Sequence, residues 1–293
     1  MSMNAKNFVT DFGAQLTTAF DGTPQNEPDC VSAWNTAIAY CAANKENLYI
    51  PDGTYSFHSK PDLVNNRIDI FGAGLFRTSL YMRYNQPTGA AGFIEAGPYA
   101  VGFQLRDTAI IAGPGNVGAT GFRAYANSVS APSSLRLERV RITTDQQDPL
   151  NTGSWNQFSC DLDGQYRVTG AKGIRAPVIR DCLFFGGGVG AARYQSCNNL
   201  TSSGTSFFQA GGVKGLLMVS GVPGNESNDF DISALYMGGA YFGDAISGNI
   251  SASIRGSDVI FDAQAKNILG VGPLNGGGVY NLGTDCRWET PQL

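Results

Sequence analysis

Two aspartates, Asp161 and Asp163, stand one residue apart in the stretch Cys160-Asp-Leu-Asp-Gly164. In an extended chain they project from the same face, with Cα atoms about 6.5–7 Å apart. Carboxyl groups at that spacing can divide proton-transfer work, one protonating a leaving oxygen while the other attacks or activates water. Trp155 and Tyr166 flank the pair, and flat rings with a polar edge suit the C–H faces of a sugar. All four fall in residues 143–173, which read as the longest insertion in the chain. Two other acidic pairs compete. Glu138 and Asp181 occupy adjacent slots of consecutive repeats, predicting a separation near one strand spacing, about 4.8 Å. Each has an arginine beside it, which equally fits a structural charge ladder. Asp229 and Asp231 follow another polar insertion, with Tyr236 and Tyr241 close behind.

Composition narrows the chemistry. A single histidine, His58, leaves no multi-histidine zinc site and disfavours histidine-assisted nucleophiles; it reads as an ordinary loop residue. The six cysteines show no C-x-x-C spacing and read as small buried hydrophobes in a chain made in a reducing cytosol. No metal and no cofactor is expected. Twenty Lys and Arg against 24 Asp and Glu give a net charge of -4 with no basic stripe, which argues against nucleic acid. No apolar run approaches the roughly 18 residues of a membrane helix, so no membrane insertion is expected. The first residues also lack a hydrophobic secretion segment.

The elements that must hold these residues are mostly strands. With 38 Gly among 293 residues and only 15 % charged, the chain has the turn formers of many short strands. One helix is predicted over residues 29–43, where Val31, Trp34, Ala37, Ile38 and Cys41 recur at three and four, with Asp29 placed as its cap. Beyond residue 65 a degenerate repeat begins at positions 105, 137, 179, 200, 232 and 254, as in Leu105-Arg-Asp-Thr-Ala-Ile110 and Leu137-Glu-Arg-Val-Arg-Ile142. Its shortest intervals are 21 and 22 residues, and the others are longer. That pattern predicts a coil adding one turn per unit, with loops swelling at the corners. The helix would plug the raw edge of the first turn.

The opening segment carries a resemblance. Asp11-Phe-Gly-Ala14, Phe20-Asp-Gly22, Asp29 before an Ala-rich helix, Leu48-Tyr-Ile-Pro-Asp-Gly-Thr-Tyr55 and Ile70-Phe-Gly-Ala-Gly74 together resemble the start of pectate-lyase-superfamily proteins. The resemblance implies an all-β fold, a right-handed parallel β-helix (solenoid) with an N-terminal capping α-helix. Residues 1–64 would be leader, cap and first strands, residues 65–270 the coil with its loops, and residues 271–293 a last turn or tip.

Within that superfamily the polygalacturonase motifs are absent. Arg175-Ala-Pro-Val-Ile-Arg180 matches the spelling of the pectate-lyase Arg-x-Pro-x-x-Arg element, in which Arg175 would be the base. The Gly and His expected after it are replaced by Asp181 and Cys182. The chain is most similar to a bacteriophage tailspike. That implies a homotrimer on the phage tail of the virion, assembled in the host cytoplasm, with phage tail proteins and bacterial surface polysaccharide as partners. Expected work is recognition and hydrolysis of that polysaccharide, with Asp161, Asp163, Glu138 and Asp181 as candidate acids and Trp155, Tyr166 and Arg175 as candidate sugar contacts. The alternatives are a non-enzymatic adhesin and a polysaccharide lyase on the same fold.

Overall fold

A computed structural model describes residues 5–18, 26–86, 92–144, 154–164, 173–185, 188, 190–195 and 197–208, and beyond these the backbone of nine further strands between residues 217 and 288. The described chain is mostly β, with one α-helix and only parallel strand pairings. Seventeen strands form one sheet and seven another, with a two-stranded pair beside them.

The larger sheet has two arms. Gln104–Ala112 and Arg136–Thr144 run through both. In the first arm Leu48 pairs with Ile70, Ile70 with Leu105, Leu105 with Leu137 and Leu137 with Ile179. In the second, Tyr55 is followed by Leu80, Ile110, Ile142 and Phe184. Each of these side chains is fully buried. Side-chain alternation in a strand sends every second residue inward, so a repeated apolar-x-apolar triplet stacks into columns. Burying one such side chain fully contributes roughly 1.5–3 kcal/mol.

Between the arms the backbone takes an unusual conformation at one aligned residue per strand. Asp107, Arg139, Asp181 and Gly204 adopt φ of 56°, 50°, 51° and 60°. This left-handed region is uncommon for residues other than glycine, with aspartate among the better tolerated. At Gly72, beside Asp107 in the register of the preceding strand, an added Cβ would lie 2.2 Å from the Asp107 carbonyl oxygen, so glycine is required by close backbone approach.

The repeated segments predicted from sequence pair with one another as parallel strands, and two copies, at 200 and 254, are shifted by two residues. Ile179 pairs with Ser202 rather than Leu200, and Ile232 with Gly256 rather than Ile254. A displacement of two preserves the inward face, so the apolar pattern alone does not fix it. The segment 143–173 is not a pure insertion: Ser154–Asp163 is a central strand of the seven-stranded sheet.

Helix α1 spans Val31–Asn44. Trp34, Ala37, Ile38 and Cys41 are its buried face, as the spacing predicts. Asp29 lies one position before the cap, and its Oδ1 still accepts from the Val31 N–H at 3.1 Å. Trp34 packs edge-on against Phe8 and Phe57, with ring centroids 6.3 and 5.8 Å away. No described helix is long and apolar enough to cross a membrane. Cys30, Cys41, Cys160, Cys182 and Cys197 are buried free thiols, and burial raises the pKa of each. Cys286 and the 271–293 tip, apart from two short strands, lie outside the described residues.

Candidate functional site

Strand Ser154–Asp163 lies between Val117–Tyr125 and Gly190–Gln195. Cys160 and Leu162 belong to the hydrophobic core, so alternation sends Asp161 and Asp163 out through the opposite face. There the register sets Asp161 between Arg123 and Arg193, and Arg123 beside Glu95. The result is a row across four strands with alternating charge: Glu95, Arg123, Asp161, Arg193.

The row is closely paired. Arg193 donates to Asp161 with both Nε and a terminal nitrogen at 2.8 Å, and to Asp163 at 3.2 Å. Arg123 donates to Asp163 at 2.9 Å, with its Nε 3.7 Å from Asp161 and a terminal nitrogen 3.8 Å from Glu95. Glu95 accepts from the Gly92 N–H at 2.8 Å and pairs with Lys60. The Arg193 guanidinium also covers the Phe158 ring at 5.1 Å.

What sets this row apart is burial. Arg123 and Asp161 are each 1 % exposed and Asp163 is 6 % exposed. Arg193 is the member nearest solvent, its side chain 23 % exposed. Burial pushes the Asp161 carboxyl above the ordinary carboxylate range; the Asp163 charge adds to this, and Arg193 and Arg123 oppose it. Burial works against the Arg193 charge, yet the two aspartates hold its pKa above the ordinary value. A carboxyl kept hard to ionise next to a second carboxyl is the arrangement from which an acid and a base of different strength arise.

The remaining predicted residues are placed elsewhere. Glu138 and Asp181 are not side by side: Glu138 pairs in register with Arg180, which carries Asp181 on to the bend beside Arg139. Glu138 is half-buried and bound by Arg139, with Arg136 at 3.9 Å; Asp181 is exposed. The pair belongs to the larger sheet, away from the Asp161 row. Trp155 is 2 % exposed, and its Nε1 donates to the Thr143 carbonyl oxygen at 3.0 Å. Its ring fills the space over Gly118, where an added Cβ would lie 2.4 Å away. No ring face is left for a sugar, which corrects the expectation for Trp155. Arg175 is exposed on the short strand Ile174–Arg175, which pairs with Cys197–Asn198. Tyr166, Asp229 and the Asp231 side chain lie outside the described residues. Among the described residues no group of three His, Cys, Asp or Glu converges as a metal site.

Arg123, Arg193 and Glu95 were not singled out from sequence. Their signal is a second short pattern, a charge between small or apolar neighbours: Ile94-Glu-Ala96, Phe122-Arg-Ala124, Cys160-Asp-Leu162 and Ala192-Arg-Tyr194. It is out of phase with the stronger repeat and is hidden by it.

No family profile and no curated protein matches this sequence. Solved structures do match in three dimensions. The A-module of the Azotobacter vinelandii mannuronan C-5 epimerase AlgE6 is 17 % identical, with a TM-score of 0.59, covering 90 % of this chain and 75 % of that one. The tailspike protein gp49 of Acinetobacter baumannii bacteriophage Fri1, a capsular polysaccharide depolymerase, is 10 % identical with a TM-score of 0.50, covering 98 % and 64 %. The catalytic domain of a GH87 α-1,3-glucanase is 12 % identical with a TM-score of 0.50, covering 84 % and 43 %. The likeness is one of fold: these are parallel β-helix proteins.

Proposed function

We propose that this chain is a bacteriophage tailspike that recognises and hydrolyses a host cell-surface polysaccharide at the Asp161–Asp163 face. In this reading the coil is right-handed, α1 caps its first turn, and residues 1–64, 65–270 and 271–293 are cap, coil and tip. It stands in the virion as a homotrimer joined to other tail proteins. Support comes from the parallel β-helix fold, shared with a tailspike depolymerase and with two other proteins named for polysaccharide chemistry. The single observation that carries the choice of site is the buried Asp161 carboxyl with raised pKa beside a second carboxyl.

The chemistry follows from that asymmetry. Asp161, protonated more readily than an ordinary aspartate, donates its proton to the glycosidic oxygen as the C–O bond breaks. Asp163, held by two guanidinium groups, either takes a proton from a water that adds to the anomeric carbon, or attacks that carbon itself to form an ester that a water then cleaves while Asp161 takes up the water's proton. Arg193, the least buried member, orients the sugar and returns the carboxylates to their pairing. The test is incubation of the purified protein with a panel of bacterial surface polysaccharides. New reducing ends that vanish in Asp161→Asn and in Asp163→Asn, with the fold intact, support the proposal. Full cutting by either variant rejects it. Products absorbing as unsaturated uronates would instead favour a lyase, with Arg175 the residue to substitute.

A second reading has its own observation. Both carboxylates already accept from arginines and are almost fully buried, as in a structural ion-pair network. On that basis the same face would grip the glycan without cutting it. Binding retained without new reducing ends would select this adhesin.

A further inference from the structure

A cleft of about 670 Å3, lined by no residue of the Asp161 row, lies between the end of α1 and the outer face of the larger sheet. Small-molecule sites commonly enclose about 300–1,000 Å3. One wall is the turn after the helix, Lys45 and Glu46; the other is the turn of Asn66 and Arg67. The floor carries Asn47, Asp69 and Gln104. Asp69 and Gln104 are register partners, and Asn47 precedes Leu48, the partner of Ile70. These three therefore line up across strands about 4.8 Å apart, a row about as long as two sugar rings.

Both walls are fixed by backbone contacts. The N–H groups of Lys45 and Glu46 both reach the Cys41 carbonyl oxygen, with Lys45 in the left-handed region at φ 54°. On the far side Asn65 accepts from the Tyr99 N–H at 3.0 Å. Gly102, at φ 73°, lies under Arg67, whose side chain would be 3.4 Å from an added Cβ.

The charges in the cleft are unequal in their commitments. Asp69 is bound by Arg106 through two hydrogen bonds of 2.6 and 3.0 Å, and Glu46 has Lys6 at 3.9 Å. Lys45 and Arg67 have no carboxylate partner among the described residues. The carbonyl end of α1 carries partial negative charge that Lys45 offsets at close range, which leaves Arg67 uncompensated. On the same sheet face, two residues along, Tyr49 and Phe71 lie with ring centroids 5.3 Å apart, and the Arg106 guanidinium covers Phe71 at 4.9 Å. An aromatic pair beside two amides, a carboxylate already neutralised by Arg106, and two cations without a carboxylate partner fits a ligand that combines hydroxyls with an anionic group.

We propose that this cleft is a second, non-catalytic glycan subsite that binds an anionic polyol or saccharide unit through Lys45 and Arg67. The glycan identity of the ligand rests on the function proposed above. The location and the charge preference stand on the cleft itself.

Titration calorimetry on the full chain tests it with trigalacturonate, an oligo(glycerol phosphate) and uncharged maltotriose. Binding of at least one anionic probe, weakening with added salt, is expected, with maltotriose inert; which anion binds separates a sugar carboxylate from a phosphodiester. The double substitution Lys45→Gln with Arg67→Gln removes charge-assisted hydrogen bonds at an exposed site and is expected to cut affinity about tenfold. Asp161→Asn should bind as the wild type does. Loss of cutting in that variant with probe binding intact therefore reports on the catalytic face alone. The proposal is overturned if neither anion binds at millimolar concentration, if maltotriose binds as well, or if the double variant binds unchanged.

Discussion

Two charge ladders run up this molecule, built from the same residue types and set in different surroundings. At the bend of the larger sheet Arg106 pairs with Asp69, and Arg139 pairs with Asp107 and Glu138. Its members are partly exposed, the Arg139 side chain by 39 %. On the smaller sheet Glu95, Arg123, Asp161 and Arg193 make the same alternation with Arg123 and Asp161 almost fully buried. Exposed pairs are worth about 0–1 kcal/mol because water and salt screen them. Buried charges have lost their hydration and depend wholly on each other. The lesson is that a ladder's sequence pattern says little about its role, whereas its burial separates a corner staple from groups whose chemistry has been altered.

That contrast is breakable. Arg123→Ala should cost about 3–5 kcal/mol, because it takes from the buried carboxylates the most buried of their cations; urea unfolding measures it, and a loss comparable to that of Arg139→Ala would erase the distinction. Asp161→Asn should lower the cutting rate about 100- to 10,000-fold while the fold persists, read as reducing ends per unit time. The cutting rate of the wild type should fall as pH rises through the Asp161 midpoint, since the donor must carry its proton. Stability should move the same way. A carboxyl whose pKa is raised on folding binds its proton more tightly in the native state, so its contribution is lost as pH rises from 3.8 through the folded midpoint. Asp161→Asn removes that slope in a series of melting curves. The smallest effect belongs to Arg139→Ala, expected to cost about 0–1 kcal/mol and to weaken further with salt.

Much of the fold was legible in the residues because columns repeat. The α1 stripe and the columns through Leu105 and Leu137 follow from local spacing, whereas the bend at Asp107 and Arg139 does not. The shifted copies at Ser202 and Gly256 were not legible, since a slip of two keeps the same face inward. The site was half legible. Alternation of Asp161 and Asp163 correctly places both on one face, but alternation cannot say whether that face is covered. Trp155 shows the same gap from the other side: an aromatic residue in a polar stretch reads as a ligand platform until Gly118 and Thr143 are found against it. Arg123 and Arg193 come from strands 38 and 32 residues away in sequence from Asp161, and only register brings them together.

Carbon-13 titration of the Asp161 carboxyl by NMR, with Asp161→Asn identifying its signal, goes most directly to the central claim. A midpoint above 3.8, unchanged in Arg139→Ala and displaced in Arg193→Gln, is the predicted result. A midpoint at or below that value would mean that the arginines outweigh burial, making Asp161 a permanent anion in a structural ladder with no proton to give.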